Sequence, residues 1–194
     1  MARIADPEKL ENIKIAVMEL LVEHGYGGMS IVSVSEKAGV SPGYLYKHYS
    51  SKEELVQELV ETEMDSIIEN LKFNISTSSS VYEAAYKTVY NLFMYANSHP
   101  INAKFTAAVF LDVKVPSMEK VENYKILVEL AKQIIDLGIK TKEINPQAIP
   151  MEVVAIALTI PFRYISVFLE VDRKKKFTQE EAKRVAEICV KGFS

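Results

Sequence analysis

The chain has no tryptophan, one cysteine, seven glycines and seven prolines among its 194 residues. With Cys189 alone, no disulfide and no thiolate zinc site can form within one chain, which fits a reducing, cytoplasmic setting. His24, His48 and His99 are the only histidines, and they stand in separate segments without metal-ligand spacing, so neither metal nor cofactor is expected. There is no nucleophile elbow, no Gly-rich phosphate loop and no HExxH, and the carboxylates fall mostly on polar helix faces. No catalytic residues are assigned, and the chain is not read as an enzyme. The N-terminus lacks the apolar stretch of a signal peptide. The longest apolar run, Val153 to Leu169, holds Pro161 and Arg163 and falls short of the roughly 20 residues that span a bilayer, so no membrane partner is expected. An excess of positive charge is missing too: 23 basic against 26 acidic side chains give −3.

What is present is helical period throughout, with no sustained alternation of the strand type. Asp6-Pro7 caps a first helix, whose apolar face runs through Leu10, Ile13, Val17, Leu20 and Leu21 to the glycines 25, 27 and 28. Ile31, Val34 and Ala38 form the next stripe. Gly39 stands where a helix ends in a left-handed residue, and Ser41-Pro42 caps the helix that follows. Helix, Gly-containing turn and helix make a helix-turn-helix, the device that enters a DNA major groove. In its second helix Leu45 and Tyr49 must face the core, leaving Gly43, Tyr44 and Lys47 opposite and Tyr46 and His48 on the flanks. Glycine allows close approach, while tyrosine and lysine reach base edges or phosphates. From Lys37 to Lys52 there are three lysines, His48 and no acid, a local basic patch.

The run GVSPGYLYKHYSSKEEL resembles the recognition helix and following turn of the tetracycline-repressor (TetR) family of bacterial and archaeal transcription regulators, and SIVSVSEKAGV resembles that family's second helix. The likeness covers roughly residues 8 to 60. It implies DNA contacts from Ser30, Ser41, Pro42, Gly43, Tyr44, Tyr46, Lys47, His48 and Lys52. Val32 departs from the pattern, standing where some members place a base-reading polar side chain. Lys52, unfavourable in a helix's first turn, is expected to reach outward.

The expected fold is all-α: a three-helix head (1–52) joined by a long helix, Ser51 to about Leu71, to a C-terminal helical bundle for ligand binding and dimerisation (53–194). Asn74 to Ser80 is expected to be a surface loop. Further helices are expected from Tyr82 to Ala96, from about Phe105 to before Pro116, from Val121 to Gly138, from Asn145-Pro146 onward, and from Thr178 to Gly192. A helix apolar all round, as 153–169 is, needs cover on a second side, and a symmetric copy supplies it. The resemblance agrees, implying a homodimer through the last two helices that reads a pseudo-palindromic duplex. Aromatic side chains crowd the C-terminal half. Phe93, Phe105, Tyr124 and Phe162 are candidate contacts for an apolar or amphipathic effector, with Arg163 as its anion partner. Pro161 is expected to kink its helix and open space. The resulting reading is a homodimeric repressor released from its operator by a small molecule. A regulator of the same fold without such an effector, controlled by a protein or associated with the nucleoid, stays open beside it.

Overall fold

The computed structural model describes residues 6–111 and 121–193. Among them are nine α-helices: α1 (Pro7–Gly28), α2 (Ile31–Ala38), α3 (Pro42–His48), α4 (Lys52–Ser76), α5 (Val81–Ser98), α6 (Pro100–Leu111), α7 (Val121–Thr141), α8 (Pro150–Val171) and α9 (Gln179–Gly192). The boundary expected before Pro116 lies outside the described residues, as does the side chain of Tyr124.

Local cap chemistry sets most helix ends. Asp6 accepts from Glu8 N–H, Ser41 from Tyr44 N–H, Ser51 from Glu54 N–H and Ser80 from Glu83 N–H. Each such cap satisfies an otherwise orphaned donor and contributes about 0.5–2 kcal/mol. Thr178 and Glu181 form the expected capping box, and Ser30 with Ser33 forms another. Glu54 reaches one residue further back than a capping box requires, accepting from Ser50 N–H at 2.6 Å. Gly25 has φ +67°, so regular helix ends there even though helical hydrogen bonding resumes to Gly28.

α1, α2, α3 and the first half of α4 close one apolar cluster in which Ile13, Val17, Val34, Leu45, Leu55 and Val56 are wholly buried. α6 lies against α1 and extends this cluster through Phe105, which is also wholly buried. A second cluster joins α5, α7, α8 and α9 around Phe93, Ile165, Leu169 and Ala182. Hydrogen bonds between Asn74 and Thr88 (3.2 Å), Asn91 and Asn70 (3.1 Å) and Tyr95 and Glu63 (3.3 Å) pair α4 with α5 in antiparallel fashion.

Three expectations change. α4 runs on to Ser76, because Asn74 is buried and finds partners in Asn70 and Thr88, so the connection shrinks to residues 77–80. α6 starts at Pro100, ahead of Phe105. Asn145 accepts from Gln147 N–H in a turn, and α8 begins only at Pro150. α8 then runs as one helix through Pro161, which is buried against its neighbours.

Candidate nucleic-acid interface and effector cleft

The helix-turn-helix is built as its local chemistry requires. Gly39 adopts φ +67°, ψ 31°, and its N–H donates to the carbonyls of Ser35 and Glu36. Val40 N–H also donates to Ser35 O, at 3.0 Å. A side chain at Gly39 would be strained by that φ. α3 then leaves at an angle fixed by Leu45 and Tyr49, both buried.

The outward face of α3 differs from the expected one in one member. Gly43, Tyr46 and Lys47, spaced i, i+3, i+4, are exposed together, with Tyr46 60% exposed. Ser30, Ser41 and Pro42 are exposed beside them. Tyr44 instead turns inward onto the head cluster. Its ring lies 4.8 Å from that of half-buried His48, Lys9 Nζ sits 5.7 Å from its centroid, and its hydroxyl is buried without a hydrogen-bond partner among the described residues. Val32 is 54% exposed on α2, an apolar side chain on the reading side.

Lys52 is also turned inward. Its ammonium donates to the carbonyls of Tyr26 (3.0 Å) and Met29 (3.1 Å) at the end of α1, and lies 4.1 Å over the Tyr26 ring. Tyr26 in turn donates to Glu53 at 2.5 Å. Burial first, and the Glu53 carboxylate second, push the Tyr26 phenol up to about 12. These bonds clamp the end of α1 to the start of α4.

The candidate effector residues separate. Phe93, Phe105 and Phe162 are buried core, and Phe162 also borders a cavity. Arg163 is exposed on α8 and is not among the residues lining that cavity. All-round apolarity left the phase of α8 undetermined, and packing placed position 163 outward.

The cavity lies between α4, α5, α6 and α8 and holds about 90 Å³. Glu63, Asn70, Asn91 and Tyr95 form a polar wall, and Leu71, Leu158, Phe162 and Ile165 an apolar one. Two smaller cavities of about 50 Å³ each continue along α4, and all three share Leu71. Their walls are almost wholly apolar, including Ile75, Ile134, Val153 and Ala157. The Glu63 carboxylate accepts from Thr106 (3.0 Å), Asn102 (3.2 Å) and Tyr95 (3.3 Å), tying α4 to α5 and α6 at the polar end. Burial, then that carboxylate, raise the Tyr95 phenol to about 12. Sequence patterning missed this polar end, because Glu63, Tyr95, Asn102 and Thr106 come from three helices and only packing assembles them. Among the described residues no set of three metal-ligating side chains converges.

Residues 16–59 match the family model described as bacterial regulatory proteins, tetR family. Over 77 residues the chain is 29% identical to the HTH-type transcriptional activator FasR of Mycolicibacterium smegmatis, a match covering 40% of this chain and 35% of that protein. The shared stretch is thus little more than a third of that relative's length. A TetR family transcription regulator from Marinobacter aquaeolei VT8 superposes with a TM-score of 0.73 at 17% identity, covering 97% of this chain and 96% of that one. FadR from Bacillus subtilis in complex with stearoyl-CoA superposes with a TM-score of 0.72 at 19% identity, covering 95% and 99%. At such identities the structural likeness establishes the fold.

Proposed function

We propose that the chain, whose residues 16–59 match the tetR family of bacterial regulatory proteins, is a homodimeric, sequence-specific transcription repressor released from its operator by an amphipathic acyl thioester. One observation carries this reading: α4 belongs to both sites. Its first residues are clamped to the head, and its second half, from Glu63 to Ile75, walls all three cavities. A molecule that widens the cavities must move α4, and α4 cannot move without the head.

The reading surface is Gly43, Tyr46 and Lys47, flanked by Ser30, Ser41 and Pro42, with Tyr46 and Lys47 reaching bases or phosphates. Dimerisation follows from α8. Only 33% of its most apolar stretch is buried within one chain. Met151, Ala155, Thr159, Arg163, Val167 and Val171 are exposed at every fourth position, with Ile188 of α9 exposed beside this stripe. A second copy covering this face would exceed about 1,000 Å² in total and set two α3 helices to read grooves about 34–36 Å apart.

The effector class rests on the cavities' shape, polar at one end and apolar along the rest, and on the stearoyl-CoA held by the FadR neighbour. Among the described residues no cation lines the first cavity and Glu63 does, which disfavours a free carboxylate and suits a neutral thioester. A volume of about 90 Å³ is well below the roughly 300–1,000 Å³ of ligand-sized sites. The acyl chain therefore enters only by spreading α4 from its neighbours, and tenfold weaker DNA binding needs about 1.4 kcal/mol of preference for the spread state. That same small volume favours the second reading, a regulator of this fold with no small-molecule effector. Selection of a duplex from a random pool, followed by titration of the complex with stearoyl-CoA and isovaleryl-CoA, separates the two. Release by either acyl-CoA supports the first, and unchanged DNA affinity at saturating acyl-CoA supports the second. Failure to select any duplex overturns both.

A further inference from the structure

The three cavities along α4 follow one another in a fixed order. Ile67, Leu71 and Ile75 stand about one turn apart on one face of that helix. Ile67 lines the polar-ended cavity, Ile75 lines the two apolar ones, and Leu71 lines all three. α5, running antiparallel, repeats the order: Asn91 and Tyr95 line the polar-ended cavity, Val81 and Ala84 an apolar one, and Thr88 both. On α8 the change falls at Leu158, between Phe162 on the polar-ended side and Val153 and Ala157 on the other.

Leu71, Thr88 and Leu158 thus form one layer that divides the polar-ended cavity from the two beyond it. Two of its members are fixed. Leu158 is buried, and Thr88 is buried with its hydroxyl accepting from the Asn74 amide at 3.2 Å. Asn74 is itself buried and donates to Asn70 at 2.9 Å. Leu71 is apolar and half-buried, so it is the member that swings aside most easily.

The layer sets what each side can hold. An apolar cavity of about 150 Å³ takes one benzene ring, so the roughly 90 Å³ before the layer has room for about four carbons. Beyond it the walls are almost wholly apolar and reach Ile134 on α7 and Cys189 on α9. Each methylene carried past the layer into apolar surroundings raises affinity about threefold to fourfold. A chain that stops before Leu71 lies against the earlier turns of α4. One that passes it bears on the later turns, next to Ile134 of α7, a helix against which α4 packs.

We propose that Leu71 is a chain-length gate: a short acyl group ends against it, and the effector is an unbranched acyl chain long enough to displace it and wedge α4 from α7. This deepens the acyl-thioester reading above and rests on it. Filling the polar-ended cavity alone leaves the contact between α4 and α7 intact, so short acyl groups bind without releasing DNA.

The test titrates the DNA complex of the full chain with saturated acyl-CoAs from butanoyl to stearoyl. It compares the unaltered chain with Leu71→Ala, which removes the gate, and Ala157→Leu, which fills the two apolar cavities and leaves the polar-ended one alone. Each protein is referred to its own DNA affinity without effector. The unaltered chain should ignore short acyl-CoAs and respond steeply once the acyl chain is long enough to pass Leu71. Leu71→Ala should move that onset to shorter chains, and Ala157→Leu should raise the concentration of stearoyl-CoA needed for half-release. Each exchange alters the space by about three methylenes, so both shifts should be at least about tenfold. An onset at the same chain length in all three proteins overturns the proposal. So does release of the unaltered chain by butanoyl-CoA as readily as by stearoyl-CoA. Release by no acyl-CoA of any length would instead sink the acyl-thioester reading itself, and this one with it.

Discussion

Replacing Phe162 by alanine tests the packing on which the coupling argument depends. Phe162 is 1% exposed and its ring stacks on Phe110 at 4.7 Å between centroids and 20° between planes. It also forms part of the wall of the roughly 90 Å³ cavity. A buried Phe→Ala change costs about 3–5 kcal/mol, and the cost grows with the volume the neighbours fail to refill. Here the new void would merge with one that the fold already leaves open, which argues for the upper half of that range, about 4 kcal/mol. For a chain of this size the thermal midpoint should fall by about 8–16 °C. The assay is calorimetry at a fixed protein concentration, since a dimer's midpoint depends on it. Phe162→Leu should recover most of the loss, and the alanine variant should gain more from stearoyl-CoA than the unaltered chain does. A loss within about 0.5 kcal/mol, the range of surface substitutions, would refute the packing.

Tyr46→Ala and Lys47→Ala should fold normally and each lose about 1–3 kcal/mol of operator binding, read by anisotropy; unchanged affinity in both would refute the assignment of the reading face. Ala155→Arg and Ile188→Glu should turn a dimer into a monomer in sedimentation at micromolar concentration. The Cys189 thiol, pushed up to about 12 by burial, should resist a disulfide reagent in the native state and react at once in denaturant. Tyr26 and Tyr95 ionise near 12 in the fold against 10.0 unperturbed. Each therefore contributes stability fully present below pH 10 and lost as pH rises through about 12, and a phenolate titration of Tyr95→Phe should lack one of the late transitions.

What could be read from residue order alone was whatever depends on near neighbours in the chain. Caps at Asp6, Ser41, Ser51 and Thr178, the left-handed Gly39, and the apolar stripes of α1, α2 and α5 act within a turn or two of themselves, so their positions came out in advance. Helical period likewise defined an all-α chain and put Leu45 and Tyr49 inside. Tertiary structure decided the rest, because period gives an angle around an axis but not which neighbour waits at that angle. Tyr44 and Lys9 meet only because the fold of the head brings the start of α1 near α3, and Lys52 turns inward only because the carbonyls of Tyr26 and Met29 are brought to it. Asn74 is helical and buried because Thr88 and Asn70 pair with its amide, where composition alone suggests an open loop. Arg163 faces outward because α8, apolar on every side, takes its phase from the helices it packs against. The Glu63 wall has no sequence signature at all, since a carboxylate, a phenol, an amide and a hydroxyl from three helices become one site only when those helices pack.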